Sequence, residues 1–101
     1  MLADGEGAAG AIVEAYANHS LRMLPLVPLD VPAGKVLQLW SDGAPLGVFP
    51  RAAEGTLQGP ELPAPQAGRS YEITLEDAPG TSSGRPRGPV VLSGQAVLPP
   101  R

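Results

Sequence analysis

Glycine and proline make up thirteen residues each of this 101-residue chain, and their placement constrains the fold more than any other feature. Proline cannot donate to a helix or sheet ladder, and glycine weakens the interior of either element. The two residue types cluster between short apolar stretches, where turns belong. No stretch between them reads as a long amphipathic helix, and several carry the period-two alternation of half-buried strands. Leu, Ile, Val and Phe account for 24 of the 101 residues, above the roughly 20% below which chains tend to stay disordered. The punctuation is therefore that of a folded all-β protein, and the expected architecture is a small antiparallel β-sandwich of about six to eight short strands.

Residues 1–10 are small, polar and Gly/Ala-rich and read as a flexible lead-in. The sandwich is expected over residues 11–98, with 99–101 a tail. Residues 11–17 read as a strand because β-branched and aromatic residues hold the large positions, with a short helix as the alternative. Asn18-His19-Ser20 reads as a turn. Residues 21–27 are apolar but contain Pro25, which suggests an edge strand or an extended segment. Residues 35–41 form the strongest strand, with Leu37 and Leu39 on one face and Val36, Gln38 and Trp40 on the other. Asp42-Gly43 suits a two-residue hairpin, with residues 46–49 returning. Residues 56–58 are a short strand and residues 59–69 a loop. Residues 70–76 alternate cleanly: Tyr71, Ile73 and Leu75 against Glu72, Thr74 and Glu76. A long loop follows over 77–88, then short strands at 89–92 and 95–98.

Composition removes several chemistries. With no Cys there is no disulfide, thiolate metal site or cysteine nucleophile. One His excludes a multi-His metal site, and neither a metal nor a cofactor is expected. The net charge of −3, with seven scattered basic residues, lacks the basic face through which nucleic-acid binders neutralise phosphate. No apolar run is long enough to span a membrane, and the first residues lack the pattern of a signal peptide. Work outside the cytoplasm would need a targeting segment that this chain does not contain.

The catalytic candidates are few. His19 could combine with one of Ser20, Ser41, Ser70, Ser82, Ser83 or Ser93 and a carboxylate, but no nucleophile-elbow motif supports it. It reads as an ordinary surface histidine. Glu72 and Glu76 share a strand face, an arrangement that acid–base catalysis can use, but a domain this small has little material for a cleft. Their plain reading is a solvated sheet face, or Thr74 and Glu76 anchoring a loop through backbone N–H groups. Asp4, Glu6 and Asp42 do not form a calcium loop, and the glycines of 80–88 lack a phosphate-binding loop's Lys-Ser/Thr. Trp40 reads as core or near-core, with a binding platform as the alternative.

Three stretches together resemble a known family. Leu29-Asp30-Val31-Pro32-Ala33-Gly34-Lys35-Val36-Leu37-Gln38-Leu39-Trp40 is similar to the Pro-Ala-Gly-Lys-x-Tyr-Gln-Leu-Trp segment in the C-terminal extracytoplasmic domain of RskA-type bacterial anti-sigma factors, the anti-sigma-K factor family. Pro45-Leu46-Gly47-Val48-Phe49 resembles that family's Pro-x-x-x-Gly-x-Phe strand. Tyr71-Glu72-Ile73-Thr74-Leu75-Glu76 with Gly88-Pro89-Val90-Val91-Leu92-Ser93-Gly94 resembles its closing segment. Leu37 stands where the family usually has Tyr, and Arg85-Pro86-Arg87-Gly88-Pro89 replaces the usual Pro-Thr-Gly-Pro.

The resemblance implies a β-sandwich without catalytic residues, on the extracytoplasmic face of the membrane. It implies a single-pass parent protein, whose cytoplasmic domain holds an extracytoplasmic-function (ECF) sigma factor and whose turnover involves membrane proteases. This chain would be the excised outer domain, and membrane attachment would run through a helix absent from it. The shared residues are implied to be structural: Gly34 in a turn, Trp40 in the core, Thr74 and Glu76 as strand-face anchors, Gly88 and Pro89 where the last strand begins. The alternative function is a secreted β-sandwich module binding carbohydrate or another ligand.

Overall fold

Each apolar stretch between the glycine and proline clusters becomes an antiparallel strand. The computed structural model describes residues 1–16, 18–27, 29, 31–49, 54–59, 62, 66–80 and 86–95. Its strands are β1 (Leu2–Ala3), β2 (Ala9–Tyr16), β3 (Ser20–Pro25), β4 (Lys35–Ser41), β5 (Ala44–Phe49), β6 (Gly55–Gln58), β7 (Ser70–Asp77) and β8 (Val90–Gln95). No helix occurs among the described residues. The strand order is β5-β4-β7-β8-β1-β2-β3-β6. The sheet curls until its two end strands approach: a Cβ built on Gly47 of β5 would lie 2.7 Å from Leu57 Cδ1 of β6. The result is a nearly closed, barrel-like member of the small sandwich class.

Register follows from which side chains must face inward. Leu37 pairs with Leu75 and Leu39 with Ile73 across β4–β7, and Ile73 pairs with Leu92 across β7–β8. These side chains meet Leu2, Ala11, Leu21 and Met23 from β1 to β3, and Phe49, Leu62 and Tyr71 belong to the same inner core. A one-residue slip would turn every one of them outward, so burial fixes the pairing. At the β4–β5 hairpin Asp42 and Gly43 take φ of 49° and 84°. This is the left-handed pair that a two-residue turn needs to match strand twist.

Two expectations change. The sequence reading starts the sandwich at residue 11, yet Leu2 and Ala3 form a strand inserted between β2 and β8, with Leu2 buried. Two residues are too few for a periodicity signal, and only the neighbouring strands mark them. The strand expected at 11–17 is found as part of β2 over residues 11–16, and residue 17 lies outside the described residues. Pro25 suggested an edge, yet β3 lies between β2 and β6. Proline is tolerated because β6 pairs only Ser20 to Met23 and has ended before Pro25. The strand expected at 95–98 meets the described structure only at Gln95, which ends β8. The rest of it, the tail at 99–101, Ser82, Ser83 and Arg85 lie outside the described residues.

Candidate functional site

β4 is buried on both faces. Leu37 and Leu39 enter the inner core, while Val36, Gln38 and Trp40 are buried on the opposite, outward face. Register sets Trp40 opposite Glu72, Gln38 opposite Thr74 and Val36 opposite Glu76. Trp40 is fully buried at 0% exposed, yet stands outside the inner cluster. A second, smaller buried layer therefore lies outside the sheet. The segment after β7 contributes to it: a Cβ on Gly80 would meet Val48 and Gln38.

A hydrogen-bond relay runs through this layer. Trp40 Nε1–H donates to Thr74 Oγ1 at 2.9 Å. The Thr74 hydroxyl donates to Glu76 Oε2. Glu76 Oε1 accepts the Arg87 N–H at 3.2 Å and the Gly88 N–H at 3.1 Å, and the Gly88 N–H is shared with Oε2 at 3.2 Å. Glu76 is 2% exposed, and these donors replace the water that a buried carboxyl group would otherwise lose. The strap before β8 is thus tied to β7 by one side chain. Its close approach requires glycine, since a Cβ at Gly88 would fall 1.7 Å from the Leu75 carbonyl oxygen. Pro89 follows at once, and its carbonyl accepts the Leu75 N–H at 3.1 Å.

The C-terminal end of β7 is also joined to the turn before β4. Gly34 takes φ of 80°, and its carbonyl accepts the Ala78 N–H at 2.9 Å. Beside it the Lys35 ammonium pairs with Asp77 and holds that carboxyl below its usual range. Of the six residues singled out from the sequence, Trp40, Thr74, Glu76 and Gly88 are joined by hydrogen bonds, Pro89 bonds the adjacent Leu75, and Gly34 lies apart at the start of β4, bonded to Ala78. Gly34 and Trp40 belong to β4 and its preceding turn, Thr74 and Glu76 to β7, Gly88 and Pro89 to the strap. The solvated face expected around Glu72, Thr74 and Glu76 is corrected for Thr74 and Glu76. Both are buried, because the strap crosses β7 there.

His19 lies elsewhere. It turns the β2–β3 hairpin with φ of 60°, its Nδ1–H donates to the Leu62 carbonyl at 3.1 Å, and its own carbonyl accepts the Gly59 N–H. Glu72 is separated from Glu76 by Thr74 along β7 and lies outside this relay. Tyr16, 40% exposed, lies on the outer side of β2 near the ion-paired Glu14, Arg22 and Glu54. Among the described residues no group of acidic or histidine side chains could hold a metal, and no helix is long and apolar enough to cross a membrane.

Two features escaped sequence reasoning. Gln38 is buried in the outer layer. The signal was the row Val36-Gln38-Trp40, since a strand apolar on both faces is covered on both. Tyr71 Oη and Arg69 Nε are buried without a hydrogen-bond partner among the described residues, and nothing in the alternation marks them.

A family model described as anti-sigma-K factor rskA, C-terminal, matches residues 1–90. Searches for similar curated proteins and solved structures found no match.

Proposed function

The chain belongs to the anti-sigma-K factor RskA C-terminal family, and from that membership we propose that it is a non-enzymatic regulatory domain on the extracytoplasmic face of the bacterial membrane. The parent protein holds an ECF sigma factor through a cytoplasmic domain, and this outer domain controls the regulated proteolysis that frees it. The observation that carries the reading is the match over residues 1–90 on an all-β chain. The side chains with catalytic potential support it, because they are engaged in holding the fold: Glu76 by the strap and Thr74, His19 by the Leu62 carbonyl.

The test is fractionation of native cells with an antibody raised against this domain. A membrane-bound band well above 10.3 kDa, with the domain degraded by protease added outside intact cells, is the expected result. A soluble band near 10.3 kDa would overturn it in favour of a secreted ligand- or carbohydrate-binding module. That alternative has lost its Trp40 platform to burial, which leaves Tyr16 as the exposed aromatic on the sheet.

A further inference from the structure

We propose that the outer face of β2, β3 and β6 binds a neutral polysaccharide, with the Tyr16 ring as its stacking platform. Of the four aromatic side chains, Trp40, Phe49 and Tyr71 are buried and Tyr16 is 40% exposed. Alternation sends Val13, Leu21, Met23 and Leu57 toward the inner core, so Tyr16, Glu14, Ser20, Arg22, Thr56 and Gln58 face outward. Register sets these six in two rows across the strands. Tyr16, Ser20 and Gln58 form one row, and Glu14, Arg22 and Thr56 the other. With neighbouring strands about 4.8 Å apart, each row runs about 10 Å.

The charge balance of this face selects the occupant. Arg22 stands between Glu14 and Glu54. The two carboxylates oppose a phosphate group or an acidic glycan, and the guanidinium in their midst opposes a cationic ligand. A neutral ligand that both donates and accepts hydrogen bonds meets neither obstacle, and sugar hydroxyls do both. Arg22 Nε donates to Glu54 Oε1 at 2.9 Å, whereas Nη1 lies 3.8 Å from Glu14 Oε1, beyond hydrogen-bond length. A donor and two carboxylates are thus held side by side before a ligand arrives, which lowers the entropy cost of ordering long side chains on binding. The Tyr16 ring supplies the apolar half of the contact, a large rigid surface for the C–H face of a pyranose ring. The face is open and encloses no single sugar, so affinity accumulates along a chain of them.

The inference does not rest on the membrane attachment proposed above. Binding is read on the chain alone and location on native cells, so either reading can fail without the other. The face is also separate from the buried outer layer, which lies on β4 and β7. Variants at Tyr16 and Arg22 therefore leave the bonds among Trp40, Thr74 and Glu76 in place.

The experiment is native affinity electrophoresis of the 101-residue chain in gels containing galactomannan, arabinogalactan or mixed-linkage β-glucan, with polygalacturonate as the anionic counterpart. The expected result is retardation by at least one neutral polymer and none by polygalacturonate. Tyr16→Ala should weaken that retardation about tenfold, Tyr16→Trp should restore it, and Arg22→Met should weaken it with the ring in place. Unchanged Trp40 fluorescence and far-UV circular dichroism verify that each variant is folded. On the wild type, amide NMR shifts caused by the retarding polymer should fall on β2, β3 and β6. Free passage through all three neutral gels, equal retardation by polygalacturonate, or shifts confined to β4 and β7 would overturn the proposal. So would a concentration-dependent dimer formed through this face, since a second copy would then be its occupant.

Discussion

A carboxylate taken out of water is costly unless donors surround it, and Glu76 has Thr74, Arg87 and Gly88 as its donors. Thr74 is the pivotal member because it both accepts from Trp40 and donates to Glu76. Thr74→Val keeps the shape and leaves the buried indole N–H unpaired. It should cost about 1–3 kcal/mol, measured by urea denaturation. Tyr71 presents the opposite case, a hydroxyl buried without a partner among the described residues. Tyr71→Phe should be neutral or stabilising by up to about 1 kcal/mol. Burial also pushes the Tyr71 hydroxyl above its ordinary value near 10. The unfolded chain therefore releases this proton first as pH rises. The Tyr71 contribution is complete below pH about 10 and is lost as pH climbs through the higher folded value. The variant should flatten that alkaline decline in stability. Burial of Trp40 could be read from its place in an apolar strand, but its hydroxyl partner lies 34 residues away in sequence and could not.

At the scale of elements, two glycines separate two physical costs. Gly34 has open space around its Cβ position but φ of 80°. Gly34→Ala should cost about 1–2 kcal/mol, the penalty for a side chain in a left-handed conformation. At Gly88 the obstacle is the β7 backbone itself, which cannot rotate aside as a side chain does. Gly88→Ala should cost more than Gly34→Ala, with chemical denaturation of the two variants giving the order. A reversal would mean that the strap can lift from β7 at little cost. β7 was legible because its alternating polarity leaves one register that buries the apolar face, and β4 because an apolar run between turn signals reads as a strand covered on both faces. β1 was not legible, because two residues carry no period and their pairing with β2 and β8 is decided by the space between those strands.

For the molecule as a whole, the two buried layers share β4 and β7, so neither persists once those strands separate. Unfolding followed by Trp40 fluorescence, which reports the outer layer, should coincide with far-UV circular dichroism, which reports the sheet. Separate midpoints would mean that the outer layer melts as an independent unit.

The sequence by itself determined the class of fold and most of its strands. Local alternation and turn chemistry are properties of neighbours in the chain, and Asp42-Gly43 or Tyr71 to Glu76 state them directly. Only the tertiary structure decided the order of the strands, the insertion of β1, the curl that brings β5 to β6, and the second layer outside the sheet. Each of these depends on groups distant in sequence competing for the same space. Glu76 illustrates the division. Its outward position on β7 follows from period two, whereas its burial depends on a strap eleven and twelve residues further on that folds back to donate its amides.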